Sequence, residues 1–118
     1  RKIIDRIKYF GKTSSTDVLK KIDSEGKKLD LIFIDGRISP EDCQLFSRVR
    51  SQDCIFVLDD FEGVEKGVVN AIMLRNVFRN MLLIEPPVDG DDEIGNLALI
   101  VPAHIISLSR QQILPVNM

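Results

Sequence analysis

The sequence contains few residues of the types that most directly indicate a catalytic, metal-binding or disulfide-bonded site. Among its 118 residues it has no tryptophan, one histidine and two cysteines. Cys43 and Cys54 have neither the spacing of a metal site nor the density of a disulfide scaffold, which favours a reducing cytoplasm as the location of the protein. His104 has no partner acid that the sequence places beside it, so we expect a surface or packing role for it rather than a catalytic one.

A dominant charge sign and a long hydrophobic run are also missing. The net charge of −2 gives no general footprint for nucleic acid, so we expect none as a partner. No apolar run approaches the ~20 residues that span a bilayer, so we expect no membrane contact. The hydrophobic content of 44% and charged content of 29% describe an ordinary globular chain, of a length that suits one small domain.

Two apolar runs that end in carboxylates are the strongest functional signal in the chain. Leu29–Asp35 reads LDLIFID and has four consecutive apolar residues, as a central parallel strand would have, before it stops at Gly36. Cys54–Asp60 reads CIFVLDD and repeats the design. Open α/β sheets bind their ligands at the carboxyl ends of the strands, so these acids predict a functional edge.

Turn and cap residues divide the chain into alternating helices and strands. Ser39 followed by Pro40 is a clear helix start, with the serine as N-cap and the proline at the first position. The predicted elements are a strand at Ile7–Phe10, a helix from about Thr13 to Gly26, a strand at Leu29–Asp35, a helix from Ser39 to Asp53, a strand at Cys54–Asp60, a helix from about Val64 to Arg79, and strands at Met81–Ile84 and Leu97–Val101. This alternation predicts an α/β fold with a mainly parallel sheet, and the last two strands are expected to form an antiparallel edge hairpin.

The segments DLIFIDG and CIFVLDDFEGVEKGVVNAI resemble the second half of the class I S-adenosylmethionine-dependent methyltransferases. That family has a seven-stranded sheet with an antiparallel hairpin at one edge, and the order of elements here is similar from its third strand onward. The resemblance implies a three-layer Rossmann-like fold. Residues 1–118 would then be a single partial domain that lacks the N-terminal strands and the Gly-rich cofactor loop. We therefore expect either further N-terminal chain or a homo-oligomer to cover the bare sheet edge.

The same resemblance implies S-adenosylmethionine as cofactor and a small-molecule hydroxyl or similar group as methyl acceptor. Asp35 and Gly36 would contact the cofactor. In the metal-dependent O-methyltransferases of the family, oxygen ligands at the ends of the fourth and fifth strands hold Mg²⁺. Asp35, Asp59 and Asp60 fall on those positions and could hold Mg²⁺ or another divalent metal. The alternative is that Asp59 or Asp60 caps the turn or helix that follows.

One departure from the family pattern leaves the catalytic role open. Relatives often read Ile-Asp-Gly-Asp-His at the end of the fourth strand, whereas this chain continues from Gly36 with Arg37 and Ile38. No catalytic base is therefore assigned, and we expect activity only where a longer parent chain supplies the cofactor loop. The alternatives are a non-catalytic α/β binding module with a degenerate methyltransferase fold and, more remotely, a receiver-like signalling domain, in which the order of the paired and single acids would be reversed.

Overall fold

A mixed four-stranded sheet forms the centre of the fold. The computed structural model describes residues 3–59, 67–85 and 97–106. Its elements in chain order are a 3₁₀ turn at Ile3–Arg6, α1 at Ser15–Ser24, β1 at Leu29–Ile34, α2 at Pro40–Val49, β2 at Arg50–Leu58, α3 at Val69–Val77, β3 at Met81–Ile84 and β4 at Ala98–Pro102. No helix in these three ranges is both long and apolar enough to cross a membrane.

The strand order is β1-β2-β4-β3. β1 and β2 are parallel, whereas β4 is antiparallel to both β2 and β3. β1, β2 and β3 therefore run in one direction and share a carboxyl edge. The predicted α/β class and the predicted antiparallel pairing of the last two strands are confirmed.

Helices α1 and α2 begin with serine caps. The Ser14 hydroxyl accepts a hydrogen bond from the Asp17 N–H at 3.1 Å, and the Ser39 hydroxyl accepts one from the Asp42 N–H at 3.0 Å. Each cap satisfies one of the N–H groups that the first helical turn leaves without a partner. The Ser39 cap is the predicted one, and α1 begins two residues after the predicted start at about Thr13.

One face of the sheet packs against the helices. The ring of Phe56 in β2 lies edge-on to Phe46 of α2 at 5.5 Å and is stacked on Phe78, which follows α3, at 5.4 Å. All three rings are buried. Aromatic pairs of this kind contribute ~0.5–1.5 kcal/mol beyond the burial of their area, so they anchor α2 and the end of α3 to the sheet.

The opposite face of the sheet is apolar across all four strands. The pairing register places Phe33, Val57, Leu99 and Ile84 in one row, and Phe33 and Ile84 are 54% and 42% exposed. The buried apolar residues of α1, α2 and α3 instead belong to the cluster on the first face. The described residues therefore form two layers, and the third layer of the expected fold is not among them.

The predicted first strand is wrong. Ile7–Phe10 has no regular secondary structure, and Ile7 and Tyr9 are 66% and 91% exposed. A strand requires a neighbour for its backbone hydrogen bonds, and no described strand offers that segment one. The apolar pattern of Ile7–Phe10 alone was therefore not enough to predict a strand.

Two further boundaries differ from the predictions. β2 begins at Arg50 rather than Cys54, because the chain turns extended immediately after α2 and Arg50 pairs with Leu29 of β1. The segment predicted to close the helix is thus part of the strand. α3 ends at Val77, and the predicted start of that helix at Val64 lies outside the described residues.

A buried carboxylate joins the first turns of α1 and α2. Asp42 is 2% exposed and accepts hydrogen bonds from the hydroxyls of Ser15 at 2.7 Å and Thr16 at 2.6 Å. The positive ends of both helix dipoles also favour a negative charge at this position. Asp42 therefore fixes the two helices relative to each other at the end nearest the carboxyl edge of β1.

We expect Asp42→Ala to lower the free energy of unfolding by about 2–3 kcal/mol, because two hydroxyls lose a charged acceptor. Denaturant titration followed by circular dichroism measures the change. Glu41→Ala is the matched control, since Glu41 is the exposed neighbour that forms a surface ion pair with Lys20 at 3.1 Å. Equal effects of the two substitutions would contradict the structural role of Asp42.

Candidate functional site

Asp35 and Asp59 lie at the same edge of the sheet, next to each other on neighbouring strands. Ile34 pairs with Leu58 in the parallel register, and the Asp59 N–H donates a hydrogen bond to the Ile34 carbonyl at 3.0 Å. Each acid thus immediately follows the carboxyl end of its strand. Asp60, the third acid of the predicted site, lies outside the described residues.

A cleft of about 350 Å³ opens beside Asp35. It lies between α1, β1 and the start of α2, and Ser15, Phe33, Asp35, Gly36 and Arg37 are among the residues that line it. Small-molecule sites combine an apolar wall with a few polar groups in this way. Both residues predicted to contact a cofactor, Asp35 and Gly36, therefore lie in the wall of one cleft.

Gly36 has no structural reason to be glycine within the described part of the chain. A Cβ atom built on Gly36 would meet nothing within 4 Å, and its backbone is not in the left-handed region. Gly26, by contrast, has a φ of +67°, a conformation that side chains disfavour. The open space above Gly36 would let a ligand approach the backbone closely.

The loop that carries Gly36 is held by a residue that the sequence analysis missed. The Asn70 side chain, on α3, donates a hydrogen bond from Nδ2 to the Gly36 carbonyl at 2.6 Å and accepts one at Oδ1 from the Ile38 N–H at 3.1 Å. Asn70 is 1% exposed. Its signal was an amide side chain among the apolar residues of a predicted helix face, because buried polar groups require partners.

The predicted metal site is incomplete in the described ranges. These ranges contain no group of three or more histidine, cysteine, aspartate or glutamate side chains that could hold a metal ion. Asp35 and Asp59 are two of the three predicted ligands. The metal prediction therefore depends on Asp60, outside the described residues.

His104 lies away from this site. Its Nε2 is 2.6 Å from a carboxylate oxygen of Asp53, and both side chains are largely exposed. Asp53 lies in the amino-terminal half of β2 and His104 follows β4, so the pair is at the opposite edge of the sheet from Asp35. His104 therefore lies on the surface, and its partner Asp53 is 51 residues away in the sequence, where no local pattern reveals it.

The two cysteines are small core residues, as predicted. Cys43 and Cys54 are unpaired and are 2% and 0% exposed. Burial is the main cause that raises the pKa of each thiol to about 11. Neither thiol has the electropositive, accessible surroundings of a nucleophile.

No protein-family model matches this chain, and no curated protein matches it. The functional assignment therefore rests on the residues and their geometry.

We expect neither thiol of the native protein to react with a disulfide reagent at pH 8, because burial keeps both protonated.

The raised pKa also makes stability depend on pH, because the thiols of the unfolded protein lose their protons at a lower pH than those of the native protein. The stability tied to these thiols is therefore complete below pH 9 and is lost as the pH rises toward 11. Thiol titration with and without denaturant, and unfolding curves across this range, measure both effects. Fast labelling of the native protein would contradict the burial.

We expect Asn70→Ala to lower the free energy of unfolding by about 1–3 kcal/mol, because the Ile38 N–H and the Gly36 carbonyl lose their hydrogen bonds to this side chain. Asn70→Asp keeps an acceptor for the Ile38 N–H but loses the donor to the Gly36 carbonyl. Hydrogen exchange at Ile38 should therefore speed up in the alanine variant more than in the aspartate variant. Asn76→Ala, at an exposed position of the same helix, is the control, and a matching loss of protection there would refute the role of Asn70.

Proposed function

We propose that this domain is of the class I S-adenosylmethionine-dependent methyltransferase type. In this proposal the cleft at the carboxyl end of β1 takes part of the cofactor, for methyl transfer to a small-molecule hydroxyl or similar acceptor. The observation that carries the proposal is Gly36, which follows Asp35 in the cleft wall and has, among the described residues, no packing or backbone reason to be glycine. A ligand that must approach the backbone supplies that reason.

The position of the cleft supports the proposal. β1 and β2 are parallel neighbours joined through α2, and the acids follow their carboxyl ends. Ligands of open α/β sheets bind outside that edge. The antiparallel hairpin of β3 and β4 at one side of the sheet is also compatible with the resemblance seen in the sequence.

S-adenosylmethionine, when bound, supplies a methyl group on a sulfonium that a nucleophile displaces in line. Displacement of this kind depends chiefly on the alignment of donor and acceptor. In this chain Asp35 would accept hydrogen bonds from polar hydrogens of the ligand, and Gly36 would leave room for it. Asn70 would keep the loop between them in place through its two backbone hydrogen bonds.

Binding of a divalent cation, Mg²⁺ or another, would require Asp35, Asp59 and Asp60 together. The described residues supply two of these carboxylates and do not by themselves make a metal site. The proposed binding of the cofactor at Gly36 requires no metal. A cytoplasmic location belongs to the same proposal, since two unpaired cysteines suit a reducing compartment.

One observation favours a non-catalytic binding module as the second candidate. Ile38, which stands where relatives often have histidine, is 8% exposed, and its N–H is held by Asn70. It is therefore a packing residue that offers no proton-transfer group. Such a module would bind the ligand at Gly36 without transferring a methyl group.

We expect S-adenosylhomocysteine to shift the backbone amide resonances of residues 35–38 in an NMR titration, with a dissociation constant on the order of 0.1–1 mM for a partial site. Gly36→Ala should weaken this binding at least ~10-fold, because the methyl group fills the space that the ligand needs, while the folded state remains as stable. Gly26→Ala is the matched control. It should lose about 1 kcal/mol of stability through its left-handed backbone and keep the affinity.

Adenosine and methionine, titrated separately, show which part of the ligand is recognised. The proposal fails if S-adenosylhomocysteine causes no shifts at millimolar concentration, or if Gly36→Ala binds as well as the parent chain. Ligand binding with no methyl transfer to any hydroxyl acceptor, in the chain or in a longer parent protein, would support the binding module instead.

A further inference from the structure

A smaller cleft, of about 160 Å³, lies at the edge of the sheet opposite to Asp35. The described residues that line it belong to, or directly adjoin, the starts of β2 and β3 and the end of β4: Arg50, Gln52, Asn80, Met81, Pro102 and His104. Two of these side chains are basic, two are amides, and none of those described is acidic. The wall of the cleft therefore favours a negatively charged ligand.

Strand pairing holds the walls of this cleft together. β2 pairs with β4 only over Phe56–Leu58, so the two strands are not paired near the start of β2, where the cleft opens. On the other side Met81 pairs with Pro102, and the Ala103 N–H donates a hydrogen bond to the Asn80 carbonyl at 3.1 Å. The cleft is thus framed by three neighbouring strands of the sheet and does not depend on the free edge of any strand.

Arg50 is held in place by an aromatic ring. Its guanidinium lies over the ring of Phe78, 4.8 Å from the ring centroid. An arginine that stacks on a ring keeps its N–H groups available for an oxyanion. No carboxylate in the described part of the chain lies within ion-pair distance of Arg50. Arg50 is therefore a positioned cation whose donors are not taken up by a described acid.

His104 is oriented by Asp53. Its Nε2 is 2.6 Å from a carboxylate oxygen of Asp53. An ionised carboxylate only accepts hydrogen bonds, so the Nε2 of His104 carries a hydrogen. In the charged imidazolium both ring nitrogens are donors, which leaves the Nδ1–H for a ligand. His104 can thus add a second positive charge to the cleft while Asp53 keeps the ring in position.

We propose that this cleft binds a phosphate-type oxyanion. The Arg50 guanidinium and the His104 imidazolium supply the positive charge, and the side-chain amides of Gln52 and Asn80 supply further N–H donors. Hydrogen bonds between charged donors and a phosphate oxygen are among the strongest in proteins. The cleft lies at the opposite edge of the sheet from Asp35, so this binding is independent of methyl transfer.

The number of donors and the volume of the cleft define the ligand. The four polar side chains offer at least about four N–H donors, more than the oxygens of a single carboxylate, whereas a tetrahedral oxyanion has oxygens that point in several directions. A volume of about 160 Å³ suits one such group. It is below the roughly 300 Å³ at which sites for whole small molecules begin. The ligand is therefore a free oxyanion or the terminal phosphate of a larger molecule.

An NMR titration with sulfate tests the site directly, because His104 is the single histidine of the chain and its imidazole gives one resonance. At pH 6 and constant ionic strength, sulfate should shift the His104 imidazole and the backbone amides of Arg50 and Asn80 in a saturable way. We expect a dissociation constant on the order of 1–10 mM. Chloride, which maintains the ionic strength, serves as the reference anion.

The charge of His104 makes the affinity depend on pH. Sulfate does not change its charge between pH 6 and pH 8, so a change in affinity comes from the protein. The charged groups nearest His104 are Asp53 and Arg50, on β2, and the described cleft residues beside β3 and β4 do not titrate. Binding should be at least about threefold weaker at pH 8, because the neutral imidazole has no Nδ1–H.

Substitutions of Arg50 test its role in the cleft. Arg50→Gln should weaken sulfate binding at least ~10-fold, and Arg50→Lys should also weaken it, because lysine lacks the planar fork of donors. Arg48→Gln is the matched control. It removes the same charge at an exposed position that pairs with Asp23 at 3.3 Å and does not line the cleft.

A second variant avoids the packing of Arg50 on its ring. Asn80→Asp places a carboxylate in the cleft wall at an exposed position, so it should keep the fold and weaken sulfate binding at least ~10-fold. Asn76→Asp adds the same charge at an exposed position outside the cleft and should bind sulfate as the parent chain does.

Inorganic phosphate and glycerol phosphate, titrated in the same way, distinguish the two sources of the ligand. Tighter binding of the ester would assign the cleft to the phosphate of a larger molecule, and equal or weaker binding would assign it to the free ion. The proposal is overturned if sulfate causes no saturable shifts up to about 50 mM. It is also overturned if Arg48→Gln or Asn76→Asp weakens binding as much as its partner variant in the cleft, or if the affinity is the same at pH 6 and pH 8.

Discussion

The parallel register of β1 and β2 is the constraint on which the candidate site depends. Parallel neighbours cannot be joined by a tight turn, so the chain must cross back over the sheet, and α2 makes that crossing. The crossing brings both carboxyl ends to one edge. Asp35 and Asp59 are separated by α2 and β2 in the sequence, and yet their strands pair up to that edge, where the Asp59 N–H donates a hydrogen bond to the Ile34 carbonyl.

Two buried polar residues fix the positions of the helices and the loop around that edge through their hydrogen bonds. Asp42 joins the starts of α1 and α2, and Asn70 joins α3 to the loop after β1. Apolar contacts bring the helices and the sheet together, but their energy changes little when one element shifts slightly along another. Hydrogen bonds in a low-dielectric interior are directional, so satisfied networks of this kind fix one arrangement. The cleft wall is therefore shaped by polar contacts from three different helices.

Local signals in the sequence predicted the parts of the fold that local physics determines. The serine cap and the proline after it marked the start of α2, and the apolar run of β1 marked a strand. Ile7–Phe10 had a strand-like composition but no neighbour, which a local pattern does not reveal. The acids Asp35 and Asp59 were found because strand ends share an edge. Asp42 and Asn70 were missed because their partners lie 26 to 34 residues away in the sequence.

The position of β4 has a consequence for how the sheet is completed during synthesis. β4 is the last of the described strands in chain order, but it lies between β2 and β3 in the sheet. Until it arrives, β3 has no described strand to pair with, and the inner edge of β2 is open. Non-local strand pairing is slow to form, and open edges in the meantime favour contacts with other chains. A nascent chain that stops before Ala98 would therefore expose the edges of β2 and β3 that β4 covers, so β4 is the strand that joins the described sheet into one.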